Sequence, residues 1–163
     1  MVVAETVISE LAEQLEKMAL ALRWSERGCL LIAATDGPAL EREMARALRE
    51  RVEREVQVRE FTFAAQPFAH LSLAYILQTL GSPQGQSALF VFGLDDLAPE
   101  DRRTAINALN LGRERLRWAG YSVVLWVRPA TIRDLMFQAP DFFAWRTGAY
   151  TFEVPSDETA RTQ

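Results

Sequence analysis

The residues of this chain that could do chemistry fall into a few short groups. The first is a turn, Thr35-Asp36-Gly37, which interrupts the apolar run Cys29 to Ala34 and is followed by Pro38. Proline is favoured at the first position of a helix, so the stretch reads as strand, tight turn, helix. Free backbone amides at a helix start attract anions, which makes such a turn the natural seat of a phosphate. Holding one calls for glycines that let the amides approach, a lysine against the phosphate charge and a hydroxyl for Mg²⁺. The turn supplies Gly37 alone and no lysine, since the one lysine of the chain is Lys17. Asp36 is expected to cap the amides after Pro38, placing a carboxylate where a phosphate would sit.

The second group is Asp95-Asp96, two residues past the apolar run Leu89 to Phe92. Acids at a strand end can hold Mg²⁺ or orient water. Without a lysine and a hydroxyl partner the preferred reading is a cap for the helix that Pro99 opens. The third group is Asn110, Arg113 and Arg117, which fall on one face of a helix at i, i+3 and i+7. They suit a nucleotide, a carboxylate or a partner protein, but a plain solvated face that complements the helix dipole is the preferred reading. The fourth is Ala139 to Gly148, with Phe142, Phe143, Trp145 and Arg146. Its aromatics are expected to close the sheet edge, with Asp141 capping a short turn and Arg146 pairing with an acid. Arg113, Arg117, Trp145 and Arg146 form the candidate partner-binding set. His70 is the only histidine and has no acid at a spacing that completes a triad. Cys29, the only cysteine, is expected to be a buried, unreactive thiol. No catalytic residue and no metal site is assigned.

These groups need a frame to position them. Glu5 to Arg23 carries apolar residues at helical spacing, and the helix after Pro38 is expected to run to about Glu55, with Glu50 and Arg54 as an i,i+4 pair. Val56 to Phe63 reads as a strand whose apolar parity changes midway, which suggests a bulge near Arg59-Glu60. A helix over Phe68 to Leu80, a strand over Ala88 to Phe92, a long helix from Pro99 to about Ala119, and a strand over Tyr121 to Val127 follow. A short helix, Ala130 to Gln138, and a last strand, Ala149 to Val154, complete the pattern. Strand and helix alternate throughout, so the fold class is α/β: a three-layer, doubly wound sheet of about five mainly parallel strands. Residues 1–154 form one domain in this reading, and 155–163 a polar tail that suits a linker.

Whole-chain properties narrow the function. With 49% hydrophobic residues the 163-residue chain can fill a substantial core. A net charge of −4 argues against general nucleic-acid binding, which needs a basic surface. No apolar run approaches the roughly 20 residues that span a bilayer, and the N-terminus has no basic flank before an apolar core, so a cytoplasmic protein is expected.

Several of these pieces occur in a telling order. Ala34-Thr35-Asp36-Gly37-Pro38-Ala39-Leu40 comes first, then Leu94 to Leu97, then Leu109-Asn110 with Arg113, Arg115 and Leu116. Val124-Leu125-Trp126-Val127 follows, and last Ala139-Pro140-Asp141-Phe142 with Trp145-Arg146 and Gly148. Together they resemble the inactive type of STAND domain, a P-loop NTPase-like module of the AAA+/STAND group in bacterial signalling and defence proteins, with degenerate Walker motifs. The resemblance implies a P-loop-like sheet that has lost its catalytic residues. It also implies recognition or assembly through another protein or a fused or co-encoded effector module, with no cofactor required. The alternative is a switch that holds ATP or ADP without efficient hydrolysis, with Asp95, Asp96, Asn110 and Arg113 facing the turn Thr35 to Gly37. A small α/β enzyme using Asp36 or Asp95 ranks last, because no nucleophile and base pair is recognisable.

Overall fold

The computed structural model describes residues 2–63, 77, 78 and 80–154. Most of the helix expected over Phe68 to Leu80, His70 within it, and the tail 155–163 lie outside the described residues.

Helix α1 (Val2–Trp24) leads into strand β1 (Leu30–Thr35), helix α2 (Pro38–Val52) and strand β2 (Gln57–Thr62). Strand β3 (Ser87–Phe92) is followed by a single 3-10 turn (Leu94–Asp96) and helix α3 (Pro99–Leu111). Helix α4 (Arg113–Trp118), strand β4 (Ser122–Val127), helices α5 (Pro129–Gln138) and α6 (Pro140–Ala144), and strand β5 (Gly148–Phe152) complete the chain. Among the described helices, α2, α3, α5 and α6 each begin at a proline, where the missing amide costs nothing.

The sheet has five strands in the order β2-β3-β4-β1-β5, and every pairing is parallel. A parallel sheet needs helices on both faces, and two cores result. Alternation along β1 sends Leu31 and Ala33 to the face covered by α1 and α2, beside Met18, Leu48 and Trp126. Leu30 and Ile32 go to the other face, against Ile106, Leu116, Leu135 and Phe142 of α3 to α6. The central strands β1 and β4 are buried throughout, whereas β2 and β5 form the edges.

Three local expectations are corrected. Strand β2 carries no bulge: its register with β3 runs unbroken from Gln57 opposite Ser87 to Thr62 opposite Phe92. The parity change is real but serves two cores, Val56 and Val58 facing α1 and α2 while Phe61 and Phe63 face the other way. The long helix after Pro99 divides at Gly112, where the residue with the weakest helix preference after proline stands. Helix α2 ends at Val52, so Arg54 lies beyond the last turn and Glu50 does not pair with it. Ion pairs tie α2 to its neighbours instead: Arg49 to Glu60 of β2 at 3.2 Å and Arg51 to Glu16 of α1 at 2.9 Å.

The frame has a topological switch point. Strands β1 and β4 are adjacent, yet α2 leaves β1 on one face and α5 leaves β4 on the other. Such a switch point opens a cleft at the carboxyl ends of the strands, the usual ligand position in open α/β sheets.

Candidate functional site

The turn between β1 and α2 forms one wall of this cleft. Thr35 is fully buried, and its hydroxyl lies 3.5 Å from the Gly37 carbonyl. Asp36 is exposed and caps nothing: Gly37, in extended conformation, occupies the cap position of α2, and no side chain closes the helix start. This overturns the expected Asp36 cap. The acid that matters is Glu41, in the first turn of α2, which is 8% exposed.

Arg128, the residue between β4 and α5, reaches across the switch point. Its Nη1 donates to Glu41 Oε2 at 2.6 Å and to Thr35 Oγ1 at 3.4 Å. Burial pushes the Glu41 carboxyl above its ordinary range; Arg128 pulls the other way, and the nearby charges of Asp95 and Asp96 add to the rise. Asp95 completes the network. Its Oδ2 accepts the Arg128 backbone amide at 3.1 Å, and its Oδ1 accepts the Thr131 hydroxyl. Asp95 therefore caps α5 from across the sheet. The helix that opens at Pro99 has Ala98 at its cap position and no side-chain cap, which corrects the expected role of the pair. Asp96 points from the 3-10 turn into solvent.

The cleft thus closes on itself. Both carboxylate oxygens of Asp95 are engaged, the guanidinium of Arg128 is matched by Glu41, and Thr35 joins them. Among the described residues no group of three or more His, Cys, Asp or Glu is disposed to hold a metal ion.

The candidate nucleotide set does not assemble as one site. Thr35, Asp36, Gly37, Asp95 and Asp96 stand at the carboxyl edge of the sheet. Asn110 and Arg113 stand at the other edge, because α3 runs back along the sheet for 13 residues, about 20 Å. There Asn110 Oδ1 accepts the backbone amides of Asp141 at 3.1 Å and Phe142 at 3.0 Å. It caps α6, the task sequence reading assigned to Asp141. Arg113 Nη1 donates to the Asn110 carbonyl at 2.8 Å and lies 3.8 Å from the Asp141 carboxylate.

The candidate partner set is more coherent. Arg113, Arg117 and Trp145 line one cleft at this amino edge, with Glu114 and Asp141 between them. Phe142 is fully buried, and Trp145 packs edge-on against it with centroids 6.3 Å apart. Arg146 pairs with no acid among the described residues; its guanidinium lies 4.0 Å over the Phe143 ring and donates to the Phe143 carbonyl. Trp118, 84% exposed, borders an adjoining cleft with Arg117 and Trp145. Sequence reading overlooked Trp118, Glu41, Arg128 and Thr131. Arg128 left one signal, a charged residue directly between the apolar run Val123 to Val127 and a proline. Cys29 behaves as expected, with burial pushing its thiol up.

Comparison with known proteins reveals the fold alone. No protein-family model matches the chain, and no curated protein does. Among solved structures, Cdc6p from Pyrobaculum aerophilum superimposes with a TM-score of 0.58 at 14% identity, over 91% of this chain and 46% of that one. A chain of Drosophila ORC bound to GC-rich DNA and Cdc6 gives 0.56 at 12%, over 93% and 30%. The Thermotoga maritima RuvB Holliday junction branch migration motor gives 0.50 at 14%, over 97% and 48%. The chain spans about half or less of the length of each. The five-stranded parallel sheet with helices on both faces is the fold this chain shares with these structures.

Proposed function

We propose that the chain is a non-catalytic, P-loop NTPase-like interaction module of the inactive STAND type, acting in prokaryotic signalling or anti-phage defence by protein recognition or assembly. The observation that carries this reading is the network Thr35–Arg128–Glu41 with Asp95–Thr131, which fills the cleft with the chain's own side chains. A bound triphosphate needs uncompensated positive charge; here the nearest guanidinium is already matched by a buried carboxylate. The order of motifs ending in Ala139-Pro140-Asp141-Phe142 and Trp145-Arg146 supports the STAND assignment. The cleft of Arg113, Arg117 and Trp145, with Trp118 beside it, has the residue types that dominate binding hot spots and supplies the partner surface.

Calorimetric titration with ATP and ADP, with and without Mg²⁺, tests the reading. No heat of binding up to millimolar nucleotide is expected. Micromolar affinity would overturn it in favour of a switch in which a phosphate displaces Glu41 from Arg128.

A further inference from the structure

Helix α2 packs its apolar face on β1 through Met44, Ala45 and Leu48, and among the described residues it leaves the far end of β2 and β3 uncovered on that side. A groove of about 430 Å³ remains between the helix and these strand ends. Thr62 and Phe92 line it from the strands, and Pro38 and Ala45 from the helix. Phe92 is a rigid floor: its ring stacks on Trp126, with centroids 6.1 Å apart and planes within 9°. Trp126 in turn stacks on Phe152, crossing a β1 that offers only the Ala33 methyl at its register position.

The helix wall of the groove carries Arg42, Arg46 and Arg49 at i, i+4 and i+7, all exposed. Arg49 is matched by Glu60 on the opposite wall, and Glu41 is occupied by Arg128. Among the described residues, Arg42 and Arg46 have no carboxylate within 4.0 Å. In a chain of net charge −4 this is a local positive excess, set one helical turn apart beside an aromatic floor.

We infer that this groove docks an acidic peptide segment of a partner protein, an apolar side chain entering over Phe92 while two carboxylates meet Arg42 and Arg46. Arginine binds carboxylates by paired, charge-assisted hydrogen bonds, and neighbours at i,i+4 sit about 5–6 Å apart, a spacing that two acids on one partner helix or strand match. A nucleic-acid backbone fits less well. Its evenly spaced phosphates would meet Glu60 and Glu41 as well as the arginines, whereas discrete carboxylates can be placed to avoid them. The inference rests on the groove and holds whichever way the strand-end cleft behaves.

The test is selection of random 12-residue peptides displayed on phage against the whole chain, followed by fluorescence-anisotropy titration of the recovered peptides as synthetic probes. Recovered peptides are expected to be rich in Asp and Glu around one apolar residue. Arg42→Glu/Arg46→Glu, and the milder Arg42→Gln/Arg46→Gln, should weaken them at least tenfold. The matched pair Arg103→Glu/Arg133→Glu, exposed on α3 and α5, should leave affinity unchanged. Circular dichroism confirms that each variant is folded. Failure to enrich acidic peptides would overturn the inference, as would binding that survives both changes at Arg42 and Arg46. Tighter binding of a 12-mer oligothymidylate through the same two arginines would overturn it in favour of nucleic acid.

Discussion

Replacing Arg128 with methionine tests the filled cleft most directly. Methionine keeps the length and the packing of the stem but removes the guanidinium that meets Glu41 at 2.6 Å. The side chains of Arg128 and Glu41 are 23% and 11% exposed, so the pair is largely withdrawn from water. At an effective dielectric of 20, two unit charges at 4 Å attract by about 4 kcal/mol, and the desolvation of both ions offsets most of that. The intact pair therefore adds little net stability, but an orphaned carboxylate keeps its desolvation cost and loses its compensation. Arg128→Met is expected to destabilise the fold by about 3 kcal/mol at pH 7, the lower end for breaking a buried pair because Arg128 retains some solvent. For a domain of this size that is a drop of roughly 6–12 °C in melting temperature. The sign of the pH dependence follows from burial. Glu41 is already raised in the folded state, and without Arg128 it rises further. A folded chain that holds a proton the unfolded chain releases loses stability as pH climbs from the ordinary carboxylate value through the raised one. The deficit of the variant should therefore shrink markedly between pH 7.5 and pH 5. Urea denaturation at both values measures it. A variant within about 0.5 kcal/mol of the parent, the range of inert surface changes, would refute the argument, and so would a deficit independent of pH.

Three further outcomes follow from local geometry. Asn110→Ala removes the acceptor for the Asp141 and Phe142 amides and should cost about 1 kcal/mol by urea denaturation, with Asn110→Asp recovering most of it. Gly28 has φ +84°, and a Cβ there would stand 2.6 Å from the Tyr121 carbonyl oxygen, so Gly28→Ala should cost at least about 2 kcal/mol in a thermal melt. Cys29 should resist a disulfide reagent at pH 8 until the chain is unfolded, since burial withholds the thiolate. Its raised thiol also makes stability fall above about pH 9, where the unfolded chain ionises and the folded one does not.

What could be read from the sequence divides along a physical line. Runs such as Leu30 to Ala34 and Tyr121 to Val127 are apolar on both parities because a central parallel strand buries both faces, and helices open at Pro38 and Pro99 for reasons local to those residues. The order of elements, and hence the α/β class, follows from such signals. Partners across the sheet do not. Glu41 and Arg128 are 87 residues apart, and Asp95 and Thr131 are 36 apart. No spacing rule joins them until the strand order brings β1, β3 and β4 side by side. The expected bulge in β2 failed for a related reason: local parity assumes one buried face, and this strand serves two cores.

The same division governs the acids. Sequence alone pairs each with the nearest following helix start, Asp36 with Pro38 and Asp95 with Pro99. In the fold, Asp95 bonds to the start of the helix leaving the neighbouring strand and not to the helix that follows its own. Asp95 lies in the turn that follows β3, β3 lies against β4, and so Asp95 meets the start of the helix that leaves β4. By the same adjacency Arg128, at the end of β4, meets the turn and helix that leave β1. The ends of β3 and β4 are thus each completed by the next strand in the sheet, and these contacts pass through the position where a phosphate would need amides and a lysine. Removing any one member leaves a buried charge or acceptor unmatched, so the network is expected to behave as one unit. In a double-mutant cycle, Arg128→Met with Glu41→Leu should cost less than Arg128→Met alone, because the second change removes the orphaned carboxylate that the first creates. Additive losses would mean that the two side chains stand near each other without depending on each other.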